Sequence, residues 1–266
     1  VKRGSAGHYL SRGLTWLLLA FLFLPILVVI PVAFTDQDFL SLPQHGLSLK
    51  HFVAIGDWSA GWLPSILTSI AVGVLASAAA TTLGAAYAVG AWSISGWWPS
   101  LTRVMILSPL IVPPIVYAVG IFKLWARFHL LDTFLGVAVV HVVLCLPFVI
   151  LAMGSTLSNL DPRLVQAARS LGARPATVFL RVIAPNILPG IIASALFAFV
   201  TSWDEITVTL FITSRAMVTL PRRIWTSIAD SVDPALAAVA TLMLVVTIAI
   251  LVVQACLPHR KPDPSP

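Results

Sequence analysis

Asp204 and Glu205 place two adjacent carboxylates inside the apolar run ALFAFVTSWDEITVTLFIT. A charged side chain at the centre of a helix in hydrocarbon costs about 2.5–3.5 kcal/mol, less toward an interface. Two neighbours must therefore face water, pair, or take up protons. On a continuous helix they point about 100° apart, so both cannot face lipid cheaply. One reading is an acidic patch on a translocation path, with Trp203 beside it, suited to a cationic solute. The other is that one acid pairs with a basic residue of a partner subunit and fixes helix register.

The remaining chemistry-bearing residues point away from catalysis. None of Lys2, Lys50, Lys123 and Lys261 follows a glycine in a G-x-x-x-x-G-K-[ST] pattern, so no phosphate-cradling loop is present. No Ser/His/Asp or Cys/His set and no H-E-x-x-H stands in the sequence. Cys145 and Cys256 both fall in apolar runs without metal-ligand spacing and read as buried small side chains. His141, alone in an apolar run, reads as a hydrogen-bonded helix contact rather than a ligand. No catalytic residue, metal or cofactor is expected, and the chain needs an outside energy source if it pumps.

The stretch Gln166–Pro185, QAARSLGARPATVFLRVIAP, is basic and water-facing between two greasy runs. Asp161 is a good N-cap, and Pro162 fits the first helical position, where no donor is needed. Leu164, Ala168 and Leu171 recur at helical spacing, and Gly172 suits the left-handed position that ends a helix. A second short helix is expected from Pro175 to about Ile183, closed by Pro185. Such a pair either docks a partner or rests on lipid headgroups.

These segments hang on a membrane scaffold. The 266 residues are 59% hydrophobic and only 10% charged, against about 25% charged in soluble domains. Apolar runs of spanning length lie near 14–34, 64–92, 102–123, 134–157, 187–213 and 235–257. Runs of about 20 residues cross a bilayer as helices, because only helices and closed barrels satisfy every backbone group there. The first run follows Lys2, Arg3 and Arg12 but exceeds a signal peptide's apolar core and lacks a clear cleavage site, so it reads as a retained helix. With the N-terminus in the cytoplasm, ten of the sixteen Lys and Arg residues fall inside, among them Arg103, Arg163, Arg169, Arg174 and Arg181. That bias favours this orientation. The net charge of +6 then reflects loops near anionic lipid, not a nucleic-acid surface.

Within the scaffold, the stretch 35–62 is expected to form a short amphipathic element on the membrane. Trp58 and Trp62 at one end of the second run, and Trp92, Trp97 and Trp98 at the other, read as interfacial belts. The small-residue run GVLASAAATTLGAAYAVG predicts a helix in the middle of a bundle. Pro109, Pro113 and Pro114 predict a kink or break in the third run, as a structural bend or as part of a transport path. Arg222 and Arg223, near Asp230 and Asp233, form either a contact for a binding protein or a solvated charged face.

The cytoplasmic stretch resembles the signature of inner-membrane permeases of binding-protein-dependent ABC importers. That signature reads Glu-Ala-Ala, three residues, Gly, nine residues, then Ile-x-Leu-Pro. Here Gln166-Ala167-Ala168, Gly172 and Val182-Ile183-Ala184-Pro185 stand at its spacing, with Gln166 where Glu is usual and Ala184 where Leu is usual. The fifth and sixth runs, with Asp204, Glu205 and Thr219-Leu220-Pro221, are similar to spermidine/putrescine-type permeases, specifically the second permease subunit.

The resemblance implies an all-α, six-helix type I permease in a bacterial inner membrane, with both termini cytoplasmic. It implies a cytoplasmic N-terminus at 1–13, a transmembrane domain at 14–257 with a coupling loop at 158–186, and a disordered tail at 258–266. Gln166, Ala167, Ala168, Gly172, Val182 and Pro185 would contact a cytoplasmic ATPase dimer. A second permease subunit and an extracytoplasmic solute-binding protein would complete the assembly, within membrane lipid and without nucleic acid. A proton-coupled carrier using Asp204 or Glu205 is the alternative from another class.

Overall fold

The structure, a computed structural model, describes residues 6–230 and 233–256. The tail expected at 258–266 lies outside the described residues, as does the start of the segment 1–13. The chain divides into two compact units. One comprises the segment up to Leu63 with Ile224–Val246, and the other Pro64–Arg223 with the segment from Thr247.

In the first unit, α1 (Ala6–Ala33) begins well before residue 14, so the segment expected as a separate N-terminus is partly helix. The stretch after it is knotted around Asp36 rather than forming one amphipathic element. The Asp36 carboxylate accepts from the Gln44 amide at 2.9 Å and lies 3.0 Å from His45 Nδ1, and the Lys50 ammonium bonds the Asp36 carbonyl at 2.6 Å. A short helix, α2 (Lys50–Ile55), and a 3₁₀ turn at Trp58–Ala60 follow.

The second unit is built mainly on α3 (Trp62–Ser93), α6 (Phe134–Ser158) and α9 (Ala184–Trp203), with α4 (Trp98–Leu107) and α5 (Pro114–Phe128) between the first two. The expected third run is broken: Trp98–Leu110 and Pro114–Phe128 meet at 98°. The cause is Pro114, which bars its predecessor from helical geometry, and Pro113 is extended at φ −55°, ψ 134°. Five of the described helices are long and apolar enough to cross a membrane, and six if the bent pair is one crossing. Trp58, Trp97 and Trp98 are exposed as a belt requires, but Trp62 is buried in the protein, and Cys256, expected to be buried, is exposed at the end of α12 (Ala235–Cys256).

Glycines set how closely the long helices approach. A Cβ on Gly84 would sit 2.5 Å from Val149 Cγ1, and one on Gly73 would sit 2.9 Å from the Phe199 ring. On α9, a Cβ on Gly190 would overlap Thr156 of α6. Ala80, Ala88, Cys145, Val149, Met153, Ile187 and Ala198 close the core between them, and the Cys145 thiol bonds the Ala198 carbonyl at 3.2 Å. Small residues driving close packing is what hydrocarbon, offering no hydrophobic gain, demands.

Replacing Gly190 with Leu should push α9 off α6 at a cost of about 1–3 kcal/mol. A lowered thermal midpoint in detergent checks this, and an unchanged midpoint would contradict the packing.

Candidate functional site

The first candidate region is the helix pair after α6. In α7 (Pro162–Ser170), the Asp161 carboxylate accepts from the Arg163 amide at 2.8 Å and Pro162 opens the helix. Gly172 ends it at φ +79°, its amide bonding the Arg169 carbonyl at 2.9 Å. A side chain with a Cβ is strained in that region, a β-branched one most of all. Val165 of α7 is buried with Leu157 and Leu160, against Val178 of α8 (Pro175–Val178) and Ile183. Ala168 and Val182 pack on the same cluster. Gln166, Ala167, Leu164 and Leu171 stay exposed, Leu171 at 89%.

Pro185 does not close the second helix. α8 runs through a π-helical turn, Phe179–Ile183, directly into α9, so Pro175–Trp203 forms one long helical segment. In the wide turn the Ala184 amide reaches back to the Phe179 carbonyl. The Asn186 side chain takes the Val182 carbonyl at 2.7 Å. The next residue, Pro185, has no amide to lose, so the helix passes through it.

The second region is the acidic pair, which sits at a break and not within a continuous helix. α9 ends at Trp203, and α10 (Thr207–Ile212) starts after Asp204, Glu205 and Ile206. The Glu205 carboxylate accepts from the Val208 amide at 2.7 Å, satisfying a donor freed by the break. Asp204 is exposed and Glu205 half-buried. Trp203 is buried and stacks on Phe199 at 5.9 Å. Beside it, His141 Nδ1 lies 2.6 Å from the Ser202 hydroxyl, the helix contact expected of that residue. Ion pairs among the described residues involve neither acid.

A third feature, not foreseen from the sequence, lies at the opposite end of α6 from the helix pair. Asp132, at φ +54° before α6, directs its carboxylate at the loop after α10. It accepts from the amides of Ser214 at 2.7 Å, Arg215 at 3.0 Å, Ala216 at 2.9 Å and Met217 at 3.0 Å. Its own amide bonds the Ile212 carbonyl at 2.8 Å. Burial raises this carboxyl's pKa, but the amides of Ala216, Ser214, Arg215 and Met217 outweigh it and lower it from 3.8 to about 2. Arg222 of α11 (Leu220–Asp230) turns inward from that loop, where a solvated or partner-facing charge was one expectation. Its guanidinium bonds the Thr209 carbonyl at 3.2 Å and both the carbonyl and hydroxyl of Thr213, capping α10. The Leu220 amide bonds Ser69 Oγ at 2.7 Å. The segment between α10 and α11 is thus tied at three places.

Since the folded pKa of Asp132 lies below its unfolded value, the clamp stabilises fully above about pH 4 and is lost as pH falls through about 2. Asp132→Asn removes the charge at neutral pH. It should speed hydrogen exchange at the 214–217 amides about tenfold or more, given about 1.5–3 kcal/mol for hydrogen bonds to a charged group. Unchanged protection would contradict the clamp.

Residues 80–261 match the family described as binding-protein-dependent transport system inner membrane component. The chain is 25% identical over 263 residues to the spermidine/putrescine transport system permease protein PotC of Haemophilus influenzae, covering 95% of this chain and 98% of that one. It is 29% identical over 241 residues to the putrescine transport system permease protein PotI of Escherichia coli, covering 82% and 84%. In fold it is similar to a chain of a bacterial ABC transporter involved in the import of the acidic polysaccharide alginate, with TM-score 0.68 at 15% identity, covering 97% and 100%. A chain of an amino acid ABC transporter gives TM-score 0.57 at 16% identity, covering 77% and 95%.

Proposed function

The chain belongs to the family of binding-protein-dependent transport system inner membrane components, and we propose that within it the protein carries a small cationic solute inward, with spermidine and putrescine as first candidates. It is a membrane permease component of an ABC-type importer, a transport subunit and not an enzyme. The helix pair carries the coupling part of the proposal. It is anchored through Val165, Val178 and Ile183 to α6 and α9 while Gln166, Ala167, Leu164 and Leu171 remain outside. A rigid element that is fixed to the long helices on one face and unpartnered on the other can transmit a push from a cytoplasmic ATPase dimer. Gln166, Ala167, Ala168, Gly172, Val182 and Pro185 are the proposed coupling residues. The positive φ at Gly172 supports a fixed angle between the two short helices.

The cationic substrate rests on Asp204 and Glu205 at the break after α9, next to the buried Trp203. The similarity to permeases named for spermidine and putrescine supports the same class. A second permease subunit would face this one, and an extracytoplasmic binding protein would deliver solute near Thr219–Pro221. In this reading the transmembrane domain spans 14–257, the coupling loop 158–186, and both termini lie in the cytoplasm of a bacterial inner membrane.

Gly172→Val should uncouple ATP hydrolysis from uptake in the assembled transporter, because the left-handed angle costs an L residue about 1–2 kcal/mol and tilts α7. Coupled uptake at the wild-type rate, with normal assembly, would reject the coupling role. Asp204→Asn should lower uptake of a divalent or polyvalent amine while ATPase stimulation by the partner subunits persists. Equal loss for a neutral solute would argue against a charge-based path.

A further inference from the structure

A cavity of about 210 Å³ lies where the end of α3 meets α4 and the end of α6 that leads into α7, lined by Tyr87, Trp92, Ser100, Arg103 and Gly154 among others. We propose that it holds the phosphate of an anionic phospholipid headgroup. Arg103 has no hydrogen bond or ion pair among the described residues. Arg103 stands exposed at the cavity's edge, and Gly154 is its neighbour across it, a Cβ there meeting Arg103 Nη2 in ordinary contact at 3.6 Å. No acid lines the cavity.

A second, independent feature points the same way. α4 starts at this cavity; Pro99 has no amide and the Leu101 amide bonds the Trp97 carbonyl at 3.0 Å, and Trp97 gives no side-chain acceptor to the amides of Trp98 and Ser100. Unsatisfied amides at a helix start attract an anion, and Arg103 lies one turn along from Pro99, on the same face. The wall is held in place by the Tyr87 hydroxyl, 3.0 Å from the Pro99 carbonyl and 2.9 Å from Thr102 Oγ1.

The surroundings select a lipid over a free anion. Trp97 and Trp98 stack at 4.0 Å and are exposed, as are Ile94, Leu101 and Val104, which gives acyl chains an apolar surface next to the charged pocket. Basic pockets between transmembrane helices on the cytoplasmic side take anionic headgroups, and this end of α6 is the cytoplasmic one in the orientation proposed above. The lipid would sit within a turn of Leu157, on the cluster that anchors α7.

The assembled transporter, placed in nanodiscs of mixed phosphatidylglycerol and phosphatidylcholine, tests this by native mass spectrometry of retained lipid. Wild type should retain phosphatidylglycerol above its bulk ratio, and Arg103→Gln should reduce that enrichment about fivefold. Gly154→Leu, which fills the cavity and keeps the charge, should do the same, while Arg127→Gln on α5 should not. Excess inorganic phosphate should leave the lipid bound. Equal retention by wild type and both cavity variants, or no preference between the two lipids, would overturn the proposal. Displacement by inorganic phosphate would overturn the lipid as source. A cavity variant that keeps its lipid but loses a partner subunit would overturn it in favour of a protein contact.

Discussion

Backbone amides and carbonyls freed where a helix stops in or beside hydrocarbon need partners within the protein, and in this chain side chains close several of the interruptions. Asp161 takes an amide at the start of α7, and Asn186 takes a carbonyl beside the π-turn. Glu205 takes an amide at the start of α10, and Arg222 takes carbonyls at its end. Asp132 takes four amides of the loop that follows. The long helices α3, α6 and α9 run continuously between these points. They approach through Gly73, Gly84 and Gly190 and hold the interrupted segments at the two ends of the bundle.

This division gives the polar residues two kinds of work. The carboxylate of Glu205 is partly spent on the backbone, whereas Asp204 next to it is exposed with no basic partner among the described residues. A break in the helix lets two adjacent acids take different environments, Asp204 exposed and Glu205 half-buried. At the other end of α6, Val165 and Val178 fasten the short helices to the core and leave a polar and apolar outer face. The short helices are thus joined to α6 and α9 by direct packing.

Local chemistry was legible in the sequence. Asp161-Pro162 and Gly172 gave the cap, the start and the end of α7, and the paired prolines Pro113-Pro114 gave the break between α4 and α5. Two local readings failed where the decision lay with neighbours. Pro185 looks like a stop, but a wide turn ahead of it removes the need for its amide. Asp204 and Glu205 look embedded in one apolar helix, because the run resumes after them. At the break Glu205 caps the next helix with its own side chain, a contact that the apolar run around it does not announce. Contacts across the chain were not legible at all. Asp132 reaches amides 82 to 85 residues away, and nothing in its surroundings, an acid before a capping threonine, distinguishes it from a solvated turn residue. Cys256 was misread for a similar reason, since an apolar run does not say which of its residues meets protein and which meets lipid.

The central claim is that this chain works as one permease of an ATP-driven assembly, engaged through Asp161–Pro185. Affinity purification of the chain in mild detergent, with identification of all that accompanies it, tests that most directly. The account predicts a stoichiometric ATPase and a second six-helix permease. A folded chain that emerges alone under conditions gentle enough to keep such complexes together would contradict it.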